Sequence, residues 1–176
     1  MADSVFTIAP VDAGAPLRRN ELHGRVYLHH TVLGADHNQT TVVHGRDRNG
    51  FGGTVVNDWV VTDELGPDAR VVARARGVHV QAGLDAKSYY VSFNMHFQGG
   101  SFDGSTLQVM GPVVEEGEWS IVGGTGEFTL AQGVIYKRFH EQRSEGNIME
   151  LDIHAFYTPM ERWQSSGEKN VWTLGV

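Results

Sequence analysis

"SIVGGTGEFTLAQGVIYKRF", residues 120–139, decides the fold, because two opposite architectures can begin with its glycines. A glycine-rich loop that opens a helix presents free backbone N–H groups to a phosphate. The same loop between two strands only turns the chain. Here Phe128, Leu130, Gln132, Val134 and Tyr136 alternate with Thr129, Ala131, Gly133, Ile135 and Lys137. Alternation of this kind is the period of a strand, so the helix that a phosphate loop requires is missing. No lysine stands directly after Gly126. Residues 123–127 therefore read as a tight hairpin whose glycines supply positive φ.

Other stretches repeat the pattern. In "LHGRVYLHHTVL" Leu22, Val26, Leu28 and Val32 share one face, and Arg25, Tyr27, His29 and Thr31 share the other. In "YYVSFNMHF" Tyr89, Val91, Phe93, Met95 and Phe97 alternate with Tyr90, Ser92, Asn94 and His96. In "MELDIHAFY" Met149, Leu151, Ile153, Ala155 and Tyr157 alternate with Glu150, Asp152, His154 and Phe156. Turn signals separate these runs: "NGFGG" at 49–53, "ELGPDA" at 64–69, "QGGSFDG" at 98–104, "EEGE" at 115–118 and "SEGN" at 144–147. The spacing predicts strands over 22–33, 40–45, 53–62, 70–81, 87–98, 105–114, 118–122, 128–140 and 147–158. Short turns leave no room for crossover helices, so a parallel sheet is not expected. An all-β fold, an antiparallel up-and-down β-barrel of eight strands, fits best, because closure removes exposed sheet edges. A sandwich is the second choice.

Composition narrows the chemistry. The 176 residues fit one domain. With no cysteine, disulfides, thiolate nucleophiles and cysteine zinc sites are excluded. Fourteen basic residues against 21 acidic ones give a net charge of −7, which argues against a nucleic-acid partner. No apolar run is long enough for a helical membrane span, so no membrane partner is expected. Nine histidines are scattered without a metal-ligand spacing, and His29 and His30 point to opposite faces of one strand. Neither a metal nor a cofactor is expected. The opening residues do not read as a secretory signal, so the expectation is a cytoplasmic protein, or an apoplastic one if a signal has been removed. On that view "NQT" at 38–40, a formal glycosylation acceptor, stays unmodified.

The ends differ from the middle. Residues 1–20, with Pro10 and Pro16, read as an arm. Residues 21–158 read as the barrel domain. Residues 159–176, "PMERWQSSGEKNVWTLGV", read as a tail or linker that Trp163 and Trp172 could anchor.

Five stretches in order resemble the plant dirigent family: "LHHTVLGADHNQTTVV", "FGGTVVNDWVVTDEL", "VVARARG", "FNMHFQGGSFDGSTLQVMG" and "IVGGTGEFTLAQG". The resemblance spans roughly residues 20–158 and implies an allene oxide cyclase-like eight-stranded barrel, assembled as a trimer, with a pocket at one mouth. Dirigent proteins steer the coupling of phenoxy radicals made by a separate oxidase, and some members cyclise a quinone methide. Several matched positions depart from the coupling members. Asp58 and Trp59 stand where those have an Asp-Asp pair, Phe102 replaces a tyrosine, Gln132 replaces an arginine, and His29-His30 replaces His-Asp. The departures resemble the dirigent-like domain of grass chimeric proteins, in which a jacalin-type lectin domain follows.

Three functions stay open at this stage. The first is a non-catalytic carbohydrate-binding module of a defence-related lectin, with an oligosaccharide as partner. Asp58, Trp59, Asn94, Phe102 and Gln132 are its candidate ligand-binding residues, since hydroxyl pairs need amides or carboxylates and a sugar ring needs an aromatic face. No catalytic residue is assigned on this reading. The second is true dirigent activity, with Arg138 and His140 standing in for the missing arginine. The third is a trimeric interaction scaffold with a vestigial pocket.

Overall fold

The computed structural model describes residues 19–158, all of them in or around one β-sheet. The expected tail and nearly all of the expected arm lie outside the described residues; Asn20, placed in the arm, instead opens the first strand. Nine strands follow in order: β1 (Asn20–Thr31), β2 (Gln39–Val43), β3 (Thr54–Thr62), β4 (Val71–Gln81), β5 (Tyr89–Phe97), β6 (Thr106–Val113), β7 (Gly117–Thr125), β8 (Gln132–Gln142) and β9 (Gly146–Tyr157). Every pairing is antiparallel, and the pairing of β1 with β3 closes eight of the strands into a barrel. β2 takes the remaining half of the same β3 edge: Tyr27–His29 of β1 pair with Val60–Thr62, while Gln39–Val43 pair with Thr54–Asn57.

Asn38 stitches that shared edge. Its side-chain amide donates to the His29 carbonyl at 2.7 Å and its carbonyl accepts from the Thr31 N–H at 3.0 Å. The acceptor asparagine of the "NQT" is thus spent on joining β1 to β2.

Strand alternation sets inside and outside as expected. Leu28, Trp59, Val61, Ala73, Ala75, Val91, Phe93, Met95, Leu107, Trp119, Ile135, Leu151 and Ile153 point inward and are buried. Small residues sit opposite large ones: Ala75 stands opposite Trp59 in register, and Ala73 opposite Phe97. Aromatic rings pack together at one end, beside an apolar pocket of about 270 Å³ lined in part by Leu22, Val26, Phe97 and Phe102. Phe128, fully buried, lies 5.0 Å from Phe97, 4.9 Å from Phe102 and 5.2 Å from Tyr157, ring centre to ring centre.

The opening motif departs from expectation in an instructive way. β7 runs through Gly123 and Gly124 to Thr125, and of the motif's glycines only Gly126 has a positive φ, +65°. Gly124 is required for close approach: a Cβ there would sit 2.2 Å from the Phe128 carbonyl oxygen. Residues 126–128 form a single 3-10 turn, and Leu130, at φ +59°, reverses the chain before β8 begins at Gln132. The apparent alternation from Phe128 to Gln132 is therefore not a strand. Burying Phe128 in the plug forces the turn, and the Phe128 carbonyl then accepts from the Ala131 N–H at 3.0 Å. Gly124→Ala is expected to destabilise the protein by about 1–3 kcal/mol through overpacking, measured by urea unfolding. An unchanged midpoint would show that the turn can shift to make room.

Candidate functional site at the open barrel mouth

The end opposite the plug holds a cavity of about 230 Å³. Its walls come from inward positions near the ends of β1, β3, β4, β6, β7, β8 and β9. Leu28, Trp59, Trp119 and Met149 form the deep wall, and Val113, Val114, Phe139 and Gln142 form an exposed rim. Phe93 sits edge-on between the two tryptophans, 6.0 Å from Trp59 and 5.3 Å from Trp119. Both indole N–H groups are committed to the protein: Trp59 donates to the Gln39 side-chain oxygen at 2.9 Å, and Trp119 to the Pro112 carbonyl at 2.7 Å. The indoles therefore offer the cavity their apolar faces, the surface an aromatic guest packs against.

Three nitrogen bases interrupt this apolar lining. His79 stacks on Trp59 at 5.6 Å and 24°, and His30 meets the same indole edge-on at 5.6 Å. Lys137 is buried. Its ammonium lies 5.5 Å over the Trp119 ring and donates to the Glu115 carbonyl at 3.3 Å. Burial pushes His79 down to about 4, with nearby His30 adding to the effect. It also lowers His30, against a hydrogen bond with the Gln39 side chain that works to raise it. Lys137 falls to about 8 for the same reason, while Glu115 works to raise it. At neutral pH the mouth thus presents neutral imidazole beside an ammonium that is mostly protonated. The buried Nδ1 of His79 has no hydrogen-bond partner among the described residues. A buried polar atom without a partner carries a desolvation cost.

The five residues singled out from the sequence do not converge here. Trp59 alone lines the cavity. Asp58 is its strand neighbour and so points outward, where its carboxylate accepts from Arg74 at 2.7 Å and Arg76 at 3.2 Å. Partial burial works to raise its pKa, but the two guanidinium groups outweigh that and hold it below the ordinary range. Asn94 faces outward between Arg76 and Gln108. Gln132 is exposed at the start of β8, opposite Phe156. Phe102 belongs to the plug at the far end. Arg138 does not replace an arginine in the mouth either: it lies on the outer face, paired with Glu150 and Asp152. His140 shares that face, edge-on to Tyr27.

His30, His79, Trp119 and Lys137 escaped the sequence reading as a group. Each stands at an inward position of its strand, in phase with buried apolar neighbours. Polar side chains in phase with a core face were the available signal.

An antiparallel barrel with packed aromatics at one end and an aromatic-walled mouth at the other has the form in which small barrels enclose a ligand. The dirigent-like protein family profile matches residues 21–156, and the chain belongs to that family. It is 30% identical over 145 residues to pterocarpan synthase 1 of Glycyrrhiza echinata, covering 77% of each chain. It is 26% identical over 155 residues to dirigent protein 11 of Arabidopsis thaliana, covering 84% of this chain and 79% of the other. The solved structure of the pterocarpan synthase dirigent protein GePTS1 superposes with a TM-score of 0.73 at 27% identity, over 84% of this chain and 90% of that one.

Proposed function

We propose that this chain is a working dirigent protein that holds one phenolic intermediate in the barrel mouth and fixes which face of it reacts. The observation that carries this reading is one cavity lined by the imidazoles of His30 and His79, two indole faces and the Lys137 ammonium. Similarity to pterocarpan synthases supports an oxygenated aromatic reactant. A cavity of about 230 Å³ lies below the roughly 300–1,000 Å³ of drug-sized ligand pockets, which favours one reactant per barrel over a pair.

The chemistry suits ring closure of a quinone methide. The attacking hydroxyl gives its proton to a neutral imidazole as its oxygen bonds to the methide carbon. The ring becomes aromatic again and the electron pair arrives on the former carbonyl oxygen as a phenolate, next to Lys137. A fixed cation in a water-poor cavity stabilises that developing charge strongly. The proton returns to the phenolate, so the overall change is an isomerisation. The aromatic walls decide which face of the methide meets the nucleophile.

A carbohydrate-binding role has less support from this geometry. A saccharide needs several paired hydroxyl partners, and Asp58, Asn94, Phe102 and Gln132 lie away from the mouth. The test has two arms. Coniferyl alcohol with a one-electron oxidase reports radical steering. A racemic ortho-hydroxybenzyl alcohol with a second phenol in reach reports closure. Enantiomeric excess in either product, abolished by His79→Phe, is expected. Racemic product in both arms, with binding on a glycan array, would replace this reading with the saccharide one.

A further inference from the structure

Glu21, His23 and His154 meet on the outer wall of the barrel, away from the mouth. Glu21 and His23 are two residues apart on β1 and so share a face, and His154 on β9 stands directly opposite His23 in register. The two imidazoles stack at 4.2 Å with 25° between their planes. Both Nε2 atoms lie 2.8 Å from the same Glu21 carboxylate oxygen. From these three groups we infer that the β1–β9 face is a binding site for a divalent transition-metal ion such as Zn²⁺, Ni²⁺ or Cu²⁺.

The donor set selects the class. Two imidazole nitrogens and one carboxylate oxygen suit borderline ions, whereas calcium and magnesium take oxygen ligands. All three ligand atoms lie within 4.8 Å of one another. Tetrahedral bonds of about 2.05 Å place ligand atoms about 3.3 Å apart, so each Nε2–oxygen separation needs to open by only about half an ångström. The frame is stiff, because β1 and β9 pair without interruption from Asn20 with Tyr157 to Thr31 with Gly146. Phe156 packs 5.0 Å from the His154 ring and limits its rotation. Asp152, two residues along β9 on the same face, is not a fourth ligand, since Arg25 and Arg138 occupy its carboxylate. Three protein ligands leave the remaining coordination position to water.

The sequence expected no converging histidines; the strand register of the closed barrel brings together two that lie far apart in the chain.

The test uses untagged full-length protein. Calorimetric titration with zinc chloride is expected to show one equivalent bound, and cobalt(II) to give visible d–d absorption in the same stoichiometry. Zinc is expected to raise the melting temperature, because it binds the folded state. His23→Ala and His154→Ala should each weaken binding by at least about tenfold, given that even groups behind the ligands contribute about 10–100-fold. Both side chains are on the surface, so circular dichroism should match the parent. Absence of a one-to-one zinc isotherm, or an isotherm unchanged in both variants, would overturn the assignment.

Discussion

Phe128→Ala is expected to destabilise the protein by about 3–5 kcal/mol, as for other fully buried phenylalanines. Phe128 is wholly inaccessible and touches Phe97, Phe102 and Tyr157, so its loss leaves a void at the closed end that three other aromatics border. The void cannot collapse easily. The Phe128 backbone is held by the 3-10 turn, and Gly124 lies directly against its carbonyl. Set against a typical total of about 5–15 kcal/mol, the loss is a large share of the fold's stability. Chemical unfolding and the melting temperature should both register it, the latter falling by roughly 6–20 °C for a domain of this size. A change under about 1 kcal/mol would mean that the far end is not sealed, and that a second opening leads into the barrel.

The second large effect concerns Lys137. Its folded pKa of about 8, against an ordinary 10.5, means that the native state binds its proton less tightly than the unfolded chain. Below pH 8 both states are protonated and the native state carries the full cost of a desolvated ammonium. Between about pH 8 and 10.5 the native amine is neutral while the unfolded one keeps its proton, so stability rises with pH across that window. Lys137→Met, which keeps the length and removes the charge, is expected to raise stability at pH 7 by on the order of 3 kcal/mol and to abolish the rise towards pH 10. The comparison is made by denaturant unfolding at both pH values. Parallel profiles for parent and variant would show that the amine is not desolvated. The same variant should lose product selectivity, since the phenolate would form without its cation. Greater stability with less activity is the pattern of a group kept for function.

Much of the barrel was legible in the sequence because alternation is local. Met149, Leu151, Ile153, Ala155 and Tyr157 reveal their face with no knowledge of what lies across from them, and the structure turns all of them inward. Where local pattern misled, one residue was the cause: Phe128 is in phase with a strand yet is drawn into the plug, so β8 starts at Gln132. The ligand site was less legible. Asp58 and Trp59 both carry ligand-type side chains, but neighbours on a strand face opposite ways, so only Trp59 reaches the interior. Phe102 and Trp59 sit at opposite ends of the barrel, which residue type alone does not reveal.

The sequence by itself determined an all-β fold of antiparallel strands, since two-residue periodicity and short glycine turns leave no room for crossover helices between consecutive strands. Only the tertiary structure decided which end is plugged and which is open, that His30, His79 and Lys137 share a cavity, and that His23 faces His154. Those outcomes depend on the register at which β1 closes against β3 and β9. Burial, which lowers the pKa of Lys137 and leaves the His79 Nδ1 without a partner among the described residues, is imposed by surrounding strands, and neither residue's own neighbours encode it.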